Sequence, residues 1–323
     1  MFSTVNIALL LLSAAVAAHA HMVSMSTGEI RIEGARGRYE FRVPWYEVEQ
    51  LADPEHRLLD AIKFSSAGRP ARRSGGKCQH DTKENALICV AIYEFDAPVD
   101  VLHAVSSFHT ATVSNHVHLL RAVKGDVTDQ AVLDLSFPQA DIRFRPAGAA
   151  DLAMQQTGAG AMRALGGLAQ WLFIAALVLA ARGRLELVQL AAMFFVGELV
   201  AAFMIPGTSW QPAPAFVEAA AALTVAYLAV EILAFPEAGH RWLVVLVLGG
   251  FHGLYYSMFT VASGYGAGWV MAGAILAEAV QISAVALVFS KLARPLEALR
   301  PVRVAAALLL VTGLVWFALR LKG

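Results

Sequence analysis

The chain has 323 residues and no formal net charge; it is 58% hydrophobic and only 15% charged. Soluble domains hold roughly 25% charged residues, so a wholly soluble protein is excluded, and without a basic run a nucleic-acid partner is excluded too. The imbalance is local: residues 21–150 hold 15 Lys/Arg and 17 Asp/Glu, whereas residues 151–323 hold 10 and 8. The first stretch suits a water-soluble domain and the second does not.

Residues 1–20 read as a secretory signal, with an uncleaved anchor as the alternative. Ile7 to Ala18 form a short apolar core, and Ala18-His19-Ala20 fits a small-x-small cleavage pattern. Cleavage there makes His21 the mature N-terminus of an exported β-rich domain, residues 21–146.

In that domain Tyr39, Phe41 and Val43 alternate with Glu40 and Arg42. Val132, Leu133, Leu135 and Phe137 suggest a further strand, and Leu87 to Tyr93 a fully buried one. One amphipathic helix is expected over Tyr46–Phe64, with Val48, Leu51, Leu58, Leu59 and Ile62 inward and a break at Pro54. Six or seven strands plus that helix predict a small β-sandwich. Cys78 and Cys89, the only cysteines, should pair in an oxidising compartment; two free thiols holding a soft metal are the alternative. His116 and His118 share one face of a strand, near His80, His103, His109 and His21 in sequence. This set could chelate copper, against the plainer reading of scattered surface histidines.

Residues 147–161, rich in Ala, Gly and Gln, read as a linker. After it come six apolar stretches, near 162–181, 187–205, 215–235, 242–261, 268–290 and 303–320. Each is long enough to span a bilayer as a helix. Residues 162–323 are therefore expected to form a six-helix membrane domain with lipid around it. The first, third and fifth connections hold Arg182 and Arg184, then His240 and Arg241, then Lys291, Arg294, Arg300 and Arg303. The second and fourth hold no charge. This is a positive-inside pattern with the N-terminal domain outside, as in a bacterial inner-membrane protein with a periplasmic domain; Arg320 and Lys322 are a small exception.

Ionisable groups inside spans are costly and usually face a bundle interior or an ion path. At 1.5 Å per residue, Gln170, Glu198, His252 and Glu278 fall at one level, roughly 10–14 Å from the outer boundary. Gln281 lies one turn below Glu278 on the same face. Glu218 and Glu231 sit nearer helix ends. Packing of Glu198, His252 and Glu278 against one another merely to hold the bundle together is the structural alternative. Gly249, Gly250 and Gly253 around His252 suit close helix approach.

These residues resemble the HupE/UreJ membrane protein family, whose members are associated with nickel or cobalt uptake. The resemblance runs through Gly167 with Leu172-Phe173, Phe194, Val217-Glu218 with Tyr227 and Glu231, Phe251-His252-Gly253-Leu254, and Glu278-x-x-Gln281. It extends, in outline, to the Ala-His leader and the exported domain. The resemblance implies a site for nickel or cobalt, with Glu198, His252 and Glu278 as ligands. It also marks departures. Where the family's first helix offers a His and then Asp-His, this chain has Arg163, Ala169 and Gln170, and Glu198 replaces the second-helix His. Fewer imidazoles and more oxygen donors imply a weaker nickel preference.

Two functions follow as expectations. One is transport of a divalent metal through Gln170, Glu198, Glu218, His252, Glu278 and Gln281. The other is a membrane-anchored binding or assembly protein with a periplasmic protein partner. No nucleophile elbow, zinc-protease motif, phosphate loop or dinucleotide fingerprint supports an enzyme.

Overall fold

The computed structural model describes residues 24–113, 116–135, 137–144, 148–235, 237, 239–293 and 300–320. The leader and His21 lie outside these. Two compact units are present, Val23–Leu152 and a second from Ala153 onward.

The first unit is β-rich. Strands β1 (Met25–Glu33) and β2 (Arg36–Pro44) form a hairpin, followed by the short helices α1 (Trp45–Val48) and α2 (Pro54–Asp60). Next come β3 (Ile62–Ser66), β4 (Arg69–Pro70), β5 (Arg72–Asp81), β6 (Ala86–Glu94) and β7 (Leu102–Ser106). Helix α3 (Phe108–Ala111) precedes β8 (Val117–Lys124), β9 (Val127–Leu133) and β10 (Gln139–Ile142). One sheet runs β5-β6-β2-β1-β8-β9 and the other β10-β7-β3-β4. Both contribute to one apolar cluster, with Ile30, Tyr39, Phe41 and Leu120 from the first and Ile62, Phe64 and Leu102 from the second.

Tyr39, Phe41 and Val43 are buried as their alternation requires, and Leu87 to Tyr93 lie in β6. The helix expected over Tyr46–Phe64 is corrected. Asp53 adopts a left-handed conformation and caps α2, its side chain accepting from His56 N–H, and Ile62 and Phe64 belong to β3. The strand expected through Phe137 stops at Leu133, leaving Leu135 and Phe137 exposed.

The second unit is helical. It contains most of α4 (Ala149–Gly166), then α5 (Leu168–Ala180), α6 (Arg184–Met204), α7 (Pro214–Ala234), α8 (Arg241–Ser263), α9 (Ala267–Ala293) and α10 (Pro301–Arg320). The expected linker is thus mostly helix, and the first span begins earlier than expected. That span is also broken: α4 and α5 meet at 71°, and counting them as one span gives up to six, with five unbroken. Gly166 and Gly167 mark the break, where glycine is a poor helix former. Carbonyls released there find side-chain donors. Trp171 Nε1–H donates to Leu165 O at 2.8 Å, and Gln281 Nε2–H donates to Ala164 O at 3.2 Å.

Helices α7 and α8 are the most enclosed, 61% and 56% buried over their apolar windows against 22% for α10. Helices α6 and α8 touch backbone to backbone. A methyl group on Gly197 would overlap Leu246 O, one on Gly249 would overlap Phe194 O, and one on Gly253 would overlap Glu198 O. Small residues permit this approach, as in membrane helix pairs. It also brings Glu198 and His252 to the same level.

Candidate functional site

Helix α5 begins just after the break, so Gln170 falls in its first turn and enters the bundle. Its amide Nε2 donates to Glu198 Oε1 of α6 at 3.0 Å and to Glu278 Oε1 of α9 at 2.6 Å. Its Oε1 lies 2.8 Å from His252 Nδ1 of α8. With both amide hydrogens spent on carboxyl oxygens, Gln170 Oε1 is the acceptor and His252 Nδ1–H the donor. One amide therefore joins an imidazole to two carboxyl groups, and those two groups are in contact with each other.

Two residues not singled out in the sequence complete the cluster. Tyr256 O–H donates to Glu278 Oε1 at 2.6 Å. Thr224 Oγ1 lies 2.9 Å from His252 Nε2 and 2.6 Å from Ala221 O, and its single hydrogen serves one of the two. Tyr256 was legible in principle, since it stands four residues from His252 and shares its helix face. Nothing in the sequence of α7 marks Thr224.

Glu198, Glu278, His252 and Gln281 are all buried to within 1%. Oε2 of Glu198, Oε2 of Glu278 and Oε1 of Gln281 receive no hydrogen bond from the described residues. Among the described residues no lysine or arginine pairs with either carboxyl group. Two such groups in an apolar bundle need a proton or a cation between them, because like charges at contact in a low dielectric repel strongly. The set is oxygen-rich and His252 has protein partners on both nitrogens, so a cation here would meet hard donors first. Among the described residues no group of three or more His, Cys, Asp or Glu has the spacing of a formed metal site. A cation would therefore have to reorganise the Gln170 and Tyr256 contacts.

The remaining intramembrane candidates lie elsewhere. Glu218 pairs with Arg320 at 2.7 Å. Glu231 pairs with Arg241 Nε at 3.0 Å. Gln281 is spent on the α4–α5 break. Arg163 is buried over the Phe259 ring, 5.3 Å from its centre.

In the β-rich unit, Cys78 and Cys89 face each other across β5 and β6 and form a disulfide. His116 and His118 are buried, not surface residues. His116 Nδ1 lies 2.9 Å from Glu47 Oε2 and 2.7 Å from Ser24 Oγ, and its Nε2 lies 2.7 Å from Ser26 Oγ. Ser26 Oγ lies 2.7 Å from His118 Nδ1, and His118 Nε2 lies 2.7 Å from Tyr39 OH. All four ring nitrogens have protein partners. Serine, tyrosine and glutamate oxygens thus engage both nitrogens of His116 and of His118, the expected copper partners of His21, which lies outside the described residues. His103 instead meets Asp141 at 2.7 Å, and His80 stacks on Trp45 with ring centres 3.9 Å apart. Burial, and secondarily the neighbouring His116, lowers the His118 pKa to about 3.

Residues 140–320 match the family model described as HupE / UreJ protein. The match covers the helices and leaves out most of the β-rich unit, so the resemblance is narrower than the sequence reading held. No curated protein matches the chain.

Proposed function

Because the chain belongs to the HupE/UreJ family, a membrane family linked to nickel and cobalt handling, we propose that its helices move a divalent transition-metal cation through the Glu198–Glu278 pair. The observation behind this reading is two fully buried carboxyl groups in contact, bridged by Gln170, with an undonated oxygen on each. Gln170 and Tyr256 hold the pair in place when the cation is absent, and His252 fixes Gln170. The bundle encloses the site completely, so entry requires a helix to move, and the α4–α5 break beside Gln170 is the natural hinge.

The same proposal places the membrane domain in the bacterial inner membrane. The broken α4–α5 pair counts as one of six spans, and the sandwich-like domain lies on the periplasmic side after removal of residues 1–20. The loops bearing Arg182, Arg184, His240 and Arg241 then face the cytoplasm, as the charge rule requires. The anchor-with-binding-domain reading drew on the histidine cluster, and the engagement of His116 and His118 by serine, tyrosine and glutamate oxygens weighs against it.

Uptake of nickel, cobalt, copper and zinc by cells expressing the full chain tests the proposal. Modest uptake of at least one metal is expected, falling at least tenfold in Glu278→Gln and in His252→Ala at unchanged protein level. Robust uptake that survives both substitutions would overturn it.

A further inference from the structure

Parallel pairing of β1 with β8 sets Ser26 opposite His118. Ser24, Ser26 and Gly28 therefore share the inward face with His116 and His118. Glu47 reaches the same place from α1, and its side chain, like that of His116, is wholly buried. Tyr39 comes from β2. A methyl group on Gly28 would lie 2.5 Å from Tyr39 OH and 2.9 Å from His118 Cε1, so only glycine leaves room for this last link.

The hydrogens of the chain can be counted. Tyr39 O–H donates to His118 Nε2, and His118 Nδ1–H donates to Ser26 Oγ. Ser26 O–H donates to His116 Nε2, and His116 Nδ1–H donates to the Glu47 carboxylate, which also receives Ser24 O–H at 2.7 Å and Met25 N–H at 3.2 Å. With both imidazoles neutral, each of these links holds one hydrogen, and all run one way toward the carboxylate. One more proton spoils the count. On His116 it turns Ser26 O–H toward His118, which then points Nε2–H at Tyr39, and the tyrosine hydrogen is left without an acceptor. On His118 it orphans the same hydrogen directly. Tyr39 is fully buried and His118 is its hydrogen-bond partner, and a buried donor with no acceptor is costly.

We propose that the Glu47–His116–Ser26–His118–Tyr39 chain is a one-proton latch that ties α1 to the starts of β1 and β8 and releases them in acid. The groups facing the two imidazoles are the Glu47 carboxylate from α1, the Ser24 and Ser26 hydroxyls from β1, the Tyr39 phenol from β2 and the Phe108 ring from α3, with the Tyr93 phenol behind Tyr39. Among the described residues no lysine or arginine touches the chain. The depressed titration of His118 agrees with the hydrogen count. The medium sets the pH on the outer side of a bacterial inner membrane, so a latch in an exported domain would respond to acid outside the cell.

Hydrogen exchange read by mass spectrometry on the full chain in lipid nanodiscs tests this, with rates corrected for the intrinsic effect of pH. Between pH 7.5 and 5, peptides covering residues 24–28, 45–48 and 116–120 should lose protection, approaching tenfold per pH unit below 6.5 for uptake of one proton. Peptides of β6 and β7 should not follow. His118→Gln should remove the pH slope. Tyr39→Phe, the milder change, should lower protection at pH 7.5 yet flatten the slope, because the hydroxyl that a proton would orphan is gone. Unchanged wild-type protection down to pH 5, parallel loss across β6 and β7, or a wild-type slope in Tyr39→Phe would each overturn the latch.

Discussion

Each half of this chain buries a polar network, and the two networks are built to opposite rules. In the β-rich unit, Tyr39, His118, Ser26 and His116 each supply one hydrogen in a chain ending on Glu47, and both nitrogens of His116 and of His118 are satisfied. In the helical unit, Gln170 and Tyr256 direct their hydrogens at Glu198 and Glu278, His252 donates to Gln170, and one oxygen of each carboxyl receives no hydrogen from the described residues. A closed network specifies a fold and resists change. An open network of carboxyl groups has something left to bind. His116 and His118, candidate ligands by spacing, are held by protein hydrogen bonds on every ring nitrogen, whereas Glu198 and Glu278, also candidate ligands from the sequence, each keep an oxygen to which no described residue donates.

The largest effect expected from separating the halves lies in the bundle. Gly253→Val or Gly249→Val would drive a side chain into the backbone of α6, which has no rotamer with which to yield. A loss of at least about 4 kcal/mol is expected, enough to deny the bundle a stable fold. In detergent such variants should aggregate on size exclusion, while the β-rich unit keeps its disulfide. Monodisperse variants of normal melting temperature would show that the close α6–α8 crossing is dispensable.

Reduction acts on the other half alone. The Cys78–Cys89 bridge closes a loop of 11 residues across β5 and β6, for which about 2–3 kcal/mol of stabilisation is typical. Reductant should lower the melting transition of the β-rich unit and leave metal uptake by the bundle unchanged. Thiol labelling of the oxidised denatured chain should find no reactive cysteine.

Acid should also act on the β-rich half first. His118 titrates near 3 in the fold and near 6.5 when unfolded. Its neutral form is the folded one, so its contribution is complete above pH 6.5 and declines as pH falls toward 3. By pH 5 this amounts to about 2 kcal/mol, readable as a shift in the chemical-denaturation midpoint. His118→Gln should reduce that shift, and a midpoint indifferent to pH would remove His118 as its source.

How much of this was legible depended on whether a residue's partner lay in the same pattern. Tyr39, Phe41, Val43 and Leu87 to Tyr93 show their strands in the alternation itself, and the disulfide follows from two cysteines in an exported segment. The common depth of Gln170, Glu198, His252 and Glu278 came from counting along separate helices, and the structure joins these four side chains. The break at Gly166-Gly167 was hidden because Ala-rich sequence reads equally as linker or helix. Most obscure was the chain from Glu47 to Tyr39. Its linked members lie 69 to 92 residues apart in sequence and meet only because β1 and β8 pair in parallel, a long-range choice that no local period records.

The smallest effect concerns the outer end of the bundle, and it bears on topology as well as stability. Arg320 closes α10 and pairs with Glu218, four residues after Pro214 at the start of α7. The end of α10 therefore lies at the same level as the start of α7. With α4 and α5 taken as one span, these are the sixth and third spans, and in the proposed topology the end of the sixth and the start of the third share the outer side. The cationic end that breaks the charge rule is thus neutralised by a carboxylate, which explains why it can remain there. Because the Arg320 side chain stays 19% exposed, its removal should cost less than loss of a fully buried pair, about 1–2 kcal/mol. Arg320→Ala should lower the bundle's melting temperature slightly, and Glu218→Gln should recover part of that loss by removing a buried charge that Arg320 no longer balances. A reporter fused after Trp210 should then read as external and one after Gly239 as internal. The opposite pair of readings would invert the bundle and with it the proposed side of the exported domain.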